Sequence, residues 1–200
     1  MSILLISGSP AVPSTSGRLL QHIGDKLASA GHFVSRLNVR DLPAQALVEA
    51  DCNHGAVRAA LAAVAEAQAV VVATPVYKAS FSGVLKTFLD LLPQNGLAGK
   101  VVLPLATGGS QSHLLALDYA LRPVLQALEA ERVLAGLFAT AQQVRWDEHA
   151  GVQLAPEIAA RVTAGVTALA HALDVAPRRQ PGPRAPVRSL QDYPYATQAA

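Results

Sequence analysis

Short apolar runs and longer stretches of helical spacing alternate along the chain. Residues 3–7, Ile3-Leu4-Leu5-Ile6-Ser7, form a continuous apolar run, the pattern of a strand covered on both faces. Over residues 16–30, Leu19, Leu20, Ile23 and Leu27 recur at helical spacing, and Gly31 closes the segment. Residues 33–39 read as a second strand and 57–67 as an alanine-rich helix. Ala69-Val70-Val71-Val72-Ala73-Thr74 is the clearest strand in the chain, and Pro75 is expected to stop it. Residues 80–92 read as an amphipathic helix, with Pro93 and Gly96 behind it. A fourth strand is expected at 100–106 and a long apolar helix at 113–130. A fifth strand at 133–139 and a last helix at 156–173 complete the pattern.

Strand and helix in strict alternation imply a parallel sheet with helices on both faces. Five strands fit an α/β flavodoxin-like three-layer sandwich with a five-stranded parallel sheet in the order 2-1-3-4-5. In such sheets ligands bind outside the carboxyl ends of the strands, at the point where the strand order reverses. The loops after strands one, three and four are therefore the places to look for chemistry.

Composition narrows the class. A chain of 200 residues suits one domain. With 51% hydrophobic and 15% charged residues, the composition favours oligomerisation. No apolar run reaches the roughly 18 residues of a membrane span, and Met1 to Ile6 lacks the basic start of a signal peptide. The single cysteine, Cys52, excludes an internal disulfide, so a cytoplasmic location is expected. Residues 1–175 carry 12 basic and 13 acidic residues, whereas 176–200 hold four arginines, one aspartate and five prolines. The near-neutral body carries no nucleic-acid-binding face. Residues 1–175 thus form the domain. Residues 176–200 form a proline- and arginine-rich tail, either loosely draped or an arm that docks on a neighbouring subunit.

The first loop runs Ser7-Gly8-Ser9-Pro10-Ala11-Val12-Pro13-Ser14-Thr15-Ser16-Gly17-Arg18. A phosphate needs converging donors, and a helix N-terminus supplies part of that set. The hydroxyls of Ser9, Ser14, Thr15 and Ser16 and the charge of Arg18 would supply the rest. The loop is neither a Walker loop nor a Gly-x-Gly-x-x-Gly turn, and so suits the terminal phosphate of FMN better than a dinucleotide pyrophosphate. The plainer reading is that these serines only cap a helix. In the second loop, Pro75 turns the chain out of the sheet, so that Pro75 and Val76 offer backbone to a flavin edge. Tyr77 offers an aromatic face and Lys78 a charge there. A surface aromatic and a solvated lysine are the alternatives. In the third loop, Thr107-Gly108-Gly109-Ser110 lets the backbone approach a flat ligand closely, unless it is an ordinary helix-start turn. The six histidines are scattered without ligand spacing, so no metal is expected.

Together Ser7-Gly8-Ser9-Pro10, Ala73-Thr74-Pro75-Val76-Tyr77-Lys78 and Ser82-Gly83-Val84-Leu85-Lys86-Thr87 resemble the NAD(P)H-dependent FMN reductase family. Two further segments, 102–109 and 113–123, closely resemble the reductase component of the two-component alkanesulfonate monooxygenase system. The resemblance covers about residues 3–173. It implies FMN as the flavin, NADPH or NADH as the donor, and a reduced-flavin-dependent monooxygenase as partner. It also implies a homo-oligomer, a tetramer or dimer, and gives Tyr119 a role as a π-bulge residue at a subunit interface near the flavin. The family commonly has arginine after Ser-x-Pro, where this chain has Ala11, and Thr15 also stands where a basic residue can occur. Two other readings keep the fold. One is a bound-FMN oxidoreductase acting on quinones, azo dyes or chromate; the other is an electron carrier of the flavodoxin type.

Overall fold

The computed structural model describes residues 1–175; the expected tail, 176–200, lies outside the described residues. The chain opens with β1 (Ser2–Ser7), α1 (Thr15–Ser29), β2 (Phe33–Asn38), α2 (Ala44–Val48) and α3 (Gly55–Glu66). It continues through β3 (Ala69–Tyr77), β4 (Ser80–Phe81), α4 (Gly83–Leu89), β5 (Val101–Gly108) and α5 (Arg122–Ala127). The last elements are β6 (Arg132–Val133), β7 (Leu137–Thr140), β8 (Val144–Asp147), β9 (Gly151–Leu154) and α6 (Pro156–Val175).

The main sheet runs β2-β1-β3-β5-β6, with β7 also on β5. These pairings are parallel, with Ile3 opposite both Val34 and Ala69, and Ala69 opposite Val101. The flavodoxin-like order of a parallel, five-strand-dominated sheet is therefore the order found. Helices cover both faces. Leu4, Ile6, Val70 and Val72 pack towards α3, α4 and α5, with Phe88 and Leu121 in the same core. Ile3, Leu5, Val71 and Leu103 pack towards α1 and α6 on the other face. Each fully buried leucine or isoleucine contributes about 1.5–3 kcal/mol relative to exposure.

α6 has the length and apolar composition of a membrane span, although Glu157, Arg161, His171 and Asp174 interrupt its apolar run. Its Ile158, Val162, Leu169 and Leu173 are buried against the sheet.

Four local expectations are corrected. Pro75 does not stop the third strand, which runs on to Tyr77 with Pro75 opposite Thr107. β1 ends opposite Ala73, so the missing N–H of Pro75 points to a side the neighbouring strand has already left. The expected helix at 80–92 is shorter, because Phe81 and Ser80 pair back on Val76 and Tyr77 as β4 and leave α4 only Gly83–Leu89. The expected helix at 113–130 is broken into a short 3-10 turn, a π-helical turn at Leu117–Leu121, and α5. Pro123 has no N–H to return to the carbonyl of Tyr119, which disfavours an ordinary α-turn there. The Arg122 amide reaches back to the Leu117 carbonyl instead. The fifth strand is split into β6 and β7. Between them Gly136 takes the Leu117 side chain, whose Cδ1 would lie 2.9 Å from an added Cβ. The Arg122 guanidinium donates to the Val133 and Leu134 carbonyls at 3.0 and 3.1 Å.

Neither α2 nor the antiparallel β8–β9 hairpin is foreshadowed by the apolar pattern. The hairpin's turn is tied by Asp147 Oδ1, which accepts the His149 and Ala150 amides at 2.8 Å each. Those bonds hold its carboxyl below the usual aspartate value.

The β3–β4 turn is strained. Lys78 and Ala79 both have positive φ, 50° and 63°, the backbone of a type I′ hairpin, which favours Asn-Gly. Ala79→Gly is expected to stabilise the fold by about 1 kcal/mol and raise Tm by about 2–4 °C, read by thermal unfolding. An unchanged or lowered Tm would show that the turn carries no strain.

Candidate active site

The three loops singled out in the sequence lie at the carboxyl ends of β1, β3 and β5, adjacent strands around the switch point between β1 and β3. The first two are locked together. The Gly8 amide donates to the Ala73 carbonyl at 2.8 Å. The buried Ser82 hydroxyl donates to the Gly8 carbonyl while accepting the Leu85 amide at 3.1 Å as the N-cap of α4. The Ser82 amide in turn donates to Thr74 Oγ1 at 3.0 Å. Ser82 was not among the residues read as functional. Its signal was available, as a serine directly ahead of Gly-x-Leu at a helix start.

In the first loop, Ser9 is buried and its hydroxyl shapes the turn, accepting the Ala11 amide at 3.2 Å and donating to the Ala11 carbonyl at 3.3 Å. Pro10 is exposed, and its carbonyl accepts Arg40 Nη1 at 2.9 Å. Ser14 caps α1 by accepting the Gly17 amide at 3.1 Å, so the helix-cap reading holds for this residue. Thr15 is the first residue of α1 and is half-buried. Ser16 is the informative one: its Oγ is buried and has no hydrogen-bond partner in the structure. A buried hydroxyl left open beside a helix N-terminus fits an incoming acceptor such as a phosphate oxygen. Arg18 lies on the outer side of the helix, its guanidinium 5.0 Å from the centre of the Trp146 ring.

In the second loop, Pro75 is half-buried and Val76 buried, while Tyr77 and Lys78 project at the hairpin tip, Tyr77 being 49% exposed. In the third loop, Thr107 is buried, Gly108 packs on Phe138, and Gly109 and Ser110 are exposed. A Cβ added at Gly109 would meet nothing within 4 Å, so the backbone there is open to a ligand. Beside it His113 Nδ1 is buried without a partner. None of the three loops contains an aspartate or glutamate, and among the described residues no cluster of three metal-ligating side chains occurs. The residues present therefore fit a phosphorylated flavin: an open hydroxyl at a helix N-terminus, an uncrowded glycine and no opposing carboxylate.

Tyr119 stands at the centre of the π-helical turn, which packs against β4 of the second loop. Its ring is 79% exposed, and Leu114 and Leu115 are exposed on the same segment. The expected π-turn at Tyr119 is thus present, and an exposed apolar surface adjoins the second and third loops.

The sequence reading also missed a group of cations. The carboxyl end of β2 brings Arg36 and Arg40 beside the first loop, where they line one cleft of about 590 Å³ with Ser9, Ser14 and Arg18. Their signal was their position, since the strand order sets β2 next to β1.

Comparison with known proteins gives the following. The model of a family described as NADPH-dependent FMN reductase matches residues 1–145. A protein named FMN reductase (NADPH) from Escherichia coli is 43% identical over 173 residues, 86% of this chain and 90% of that one. Another of that name from Pseudomonas putida is 50% identical over 148 residues, 74% of this chain and 75% of that one. The solved apo form of an NADH:FMN oxidoreductase superposes with a TM-score of 0.81 at 37% identity, covering 92% of this chain and 96% of that one.

Proposed function

Since the chain belongs to the NADPH-dependent FMN reductase family, we propose that it takes up FMN as an exchangeable substrate and passes the reduced flavin to a partner monooxygenase that desulfonates organosulfonates. The chain is an NAD(P)H:FMN oxidoreductase, with FMN as its flavin and a reduced nicotinamide nucleotide as electron donor.

When bound, FMN and the nicotinamide supply the hydride acceptor and donor. The chain's contribution is placement. Ser14, Thr15, Ser16 and the first-turn amides of α1 would hold the phosphate, with the helix dipole adding positive potential. Ser9 and Pro10 set the shape of that loop. Pro75, Val76, Tyr77 and Lys78 would border one edge of the flavin, and Thr107, Gly108, Gly109 and Ser110 would approach its face. The hydride step itself needs no general acid or base, which agrees with loops that carry no aspartate or glutamate.

The single observation that carries this reading is the buried Ser16 hydroxyl in the first turn of α1, which has no hydrogen-bond partner among the described residues. Exposure of Tyr77 and Tyr119 at the rim supports a flavin that exchanges. The exposed Leu114–Leu115–Tyr119 segment supports an interface there, between subunits of a dimer or tetramer.

The test is NADPH consumption by dialysed protein in air, with and without free FMN. Oxidation that requires and saturates with added FMN is the expected result. A protein that stays yellow after dialysis and turns over only with a quinone or a dye would replace the monooxygenase partner with that acceptor. Tyr119→Ala is expected to shift the assembly to smaller species, costing about 2 kcal/mol or more at the interface, and to change the flavin retained after desalting. Light scattering and flavin absorbance measure the two. If neither moves, Tyr119 has no role at the interface or at the flavin.

A further inference from the structure

The third loop is held at its two ends by different means. Its entrance belongs to the sheet: Gly108 pairs with Thr140 of β7, and the Gly108 carbonyl accepts the Ala141 amide at 3.2 Å. Past Gly108 the loop bonds mostly to itself. Ser110 Oγ accepts the Ser112 amide at 3.2 Å, and the Ser110 carbonyl accepts the His113 amide, also at 3.2 Å. Among the described residues, a single hydrogen bond ties residues 109–113 to a part of the chain distant in sequence. Gln111 Nε2 donates to Gln143 Oε1 at 3.1 Å, across 32 positions.

Gln143 is fixed through its backbone and its side chain alike. Its amide donates to the Thr140 carbonyl at 3.1 Å, and its carbonyl accepts the Ala155 amide at 3.0 Å at the base of the β8–β9 hairpin. Besides Gln111, its Oε1 accepts the Thr140 amide at 2.9 Å and the Thr140 hydroxyl at 3.2 Å. Its Nε2 donates to Glu157 Oε1 at 2.9 Å, in the first turn of α6. The Glu157 carboxyl is held below the usual glutamate value by its own backbone amide and then by this bond. It stays ionised and can only accept, whereas the Thr140 amide can only donate. Those two neighbours leave the Gln143 side chain one orientation, with its oxygen towards Gln111. One amide oxygen meets three donors, so the bonds form a connected network that joins the third loop to β7, the hairpin and α6.

Between the two anchors lie Gly109 and Ser110, both exposed, with open space where a Gly109 side chain would begin. The sheet sets the entrance of this loop, and one side-chain bond sets its exit. We infer that Gln143 is a positioning residue for flavin reduction. Through Gln111 it holds Gly109 and Ser110 where they would meet the flavin, and it strengthens FMN binding without touching the ligand. A loop ordered in advance spares the ordering cost at the moment of binding. This role rests on the reductase reading, which brings a flavin to the third loop.

The test is a double-mutant cycle on Gln111 and Gln143 in the full-length protein. Flavin-fluorescence titration gives the FMN dissociation constant, and thermal unfolding gives Tm. Gln111→Ala is expected to raise the constant about three- to tenfold, the worth of one neutral hydrogen bond. Its Tm should not change, because the Gln111 side chain is exposed. Gln143→Ala is expected to raise the constant at least as much and to lower Tm, since Thr140 loses two bonds with it. The double variant should bind FMN no more weakly than Gln143→Ala alone, as residues that act through each other do. Gln143→Glu/Glu157→Gln exchanges the two groups, keeps an acceptor for Gln111 and Thr140, and should restore FMN affinity. In turnover the two alanine variants should raise KM for FMN, whereas a merely structural loss of folded enzyme lowers kcat and leaves KM in place. An unchanged FMN constant in Gln111→Ala overturns the inference, even where Gln143→Ala fails to fold. Effects of the single variants that multiply in the double variant overturn it equally. Gly109→Val checks the loop itself: if it weakens FMN binding and Gln111→Ala does not, the loop meets the flavin and the tether has no part in it. The titration needs no NADPH, and absence of FMN-dependent NADPH oxidation in the wild-type protein refutes the reductase reading separately, so the two failures are distinguishable.

Discussion

Replacing Ser82 by alanine is expected to destabilise the protein by about 2–4 kcal/mol and to weaken FMN binding with it. Two losses add up to that figure. The N-cap of α4 disappears, which costs about 1 kcal/mol. The Gly8 carbonyl loses its donor in a region where Ser82 itself is only 1% exposed, and an unsatisfied buried acceptor costs about 1–3 kcal/mol. The functional loss has a separate cause. Ser82 bridges the start of α4 to the first residue past β1, so its hydroxyl fixes the second loop against the first. Without it, the groups that would hold the flavin phosphate and the flavin edge lose their common reference. Urea unfolding and flavin-fluorescence titration read the two effects. An unchanged denaturation midpoint would show that the bridge contributes nothing to the fold.

Gly8→Ala should act on the same junction from the opposite side, by about 1–3 kcal/mol of overpacking and at least about a tenfold loss of FMN affinity, equivalent to about 1.4 kcal/mol. A Cβ at Gly8 would sit 2.6 Å from the Cβ of Leu85, a fully buried side chain. Neither Cβ moves with a change of rotamer, so the contact is relieved only by displacing the first loop or α4. The need for glycine here is one of space, because Gly8 is not among the residues with positive φ. Gly55→Ala is the control, since an added Cβ there meets nothing within 4 Å, and it should leave stability unchanged or slightly raised. Equal urea midpoints for the Gly8 and Gly55 variants would refute the packing argument.

These two residues also show how far the site was legible. The hydroxyls of the first loop, the Pro75–Lys78 turn and the paired glycines after β5 are contiguous in the sequence, and their chemistry is visible in their residue types. Their common location followed from the strand order alone. The bridge between Ser82 and Gly8 was not visible, because it joins residues 74 apart and has no local periodicity. Arg36 and Arg40 were hidden for a similar reason. Both looked like ordinary charged residues at the end of a strand until β2 was set beside β1. Arg18 belongs to the first loop by its place in the chain, but the sequence does not show that it lies against Trp146, on a hairpin more than a hundred residues away.

The layered α/β architecture and the order of the parallel strands follow from the apolar pattern along the chain. Apolar runs of strand length separated by helices of one apolar face leave few ways to bury both kinds of surface. The same order points to the strand ends at which the candidate site lies. Packing in three dimensions sets where elements stop and which distant side chains meet. β3 outruns Pro75 because β1 has already left that side of the strand. The helix after β5 opens into a π-turn where Pro123 withholds its N–H, and the fifth strand splits where Leu117 presses on Gly136. Such outcomes depend on which neighbour is present at a given point in space, and a local pattern of apolar and polar residues carries no record of that.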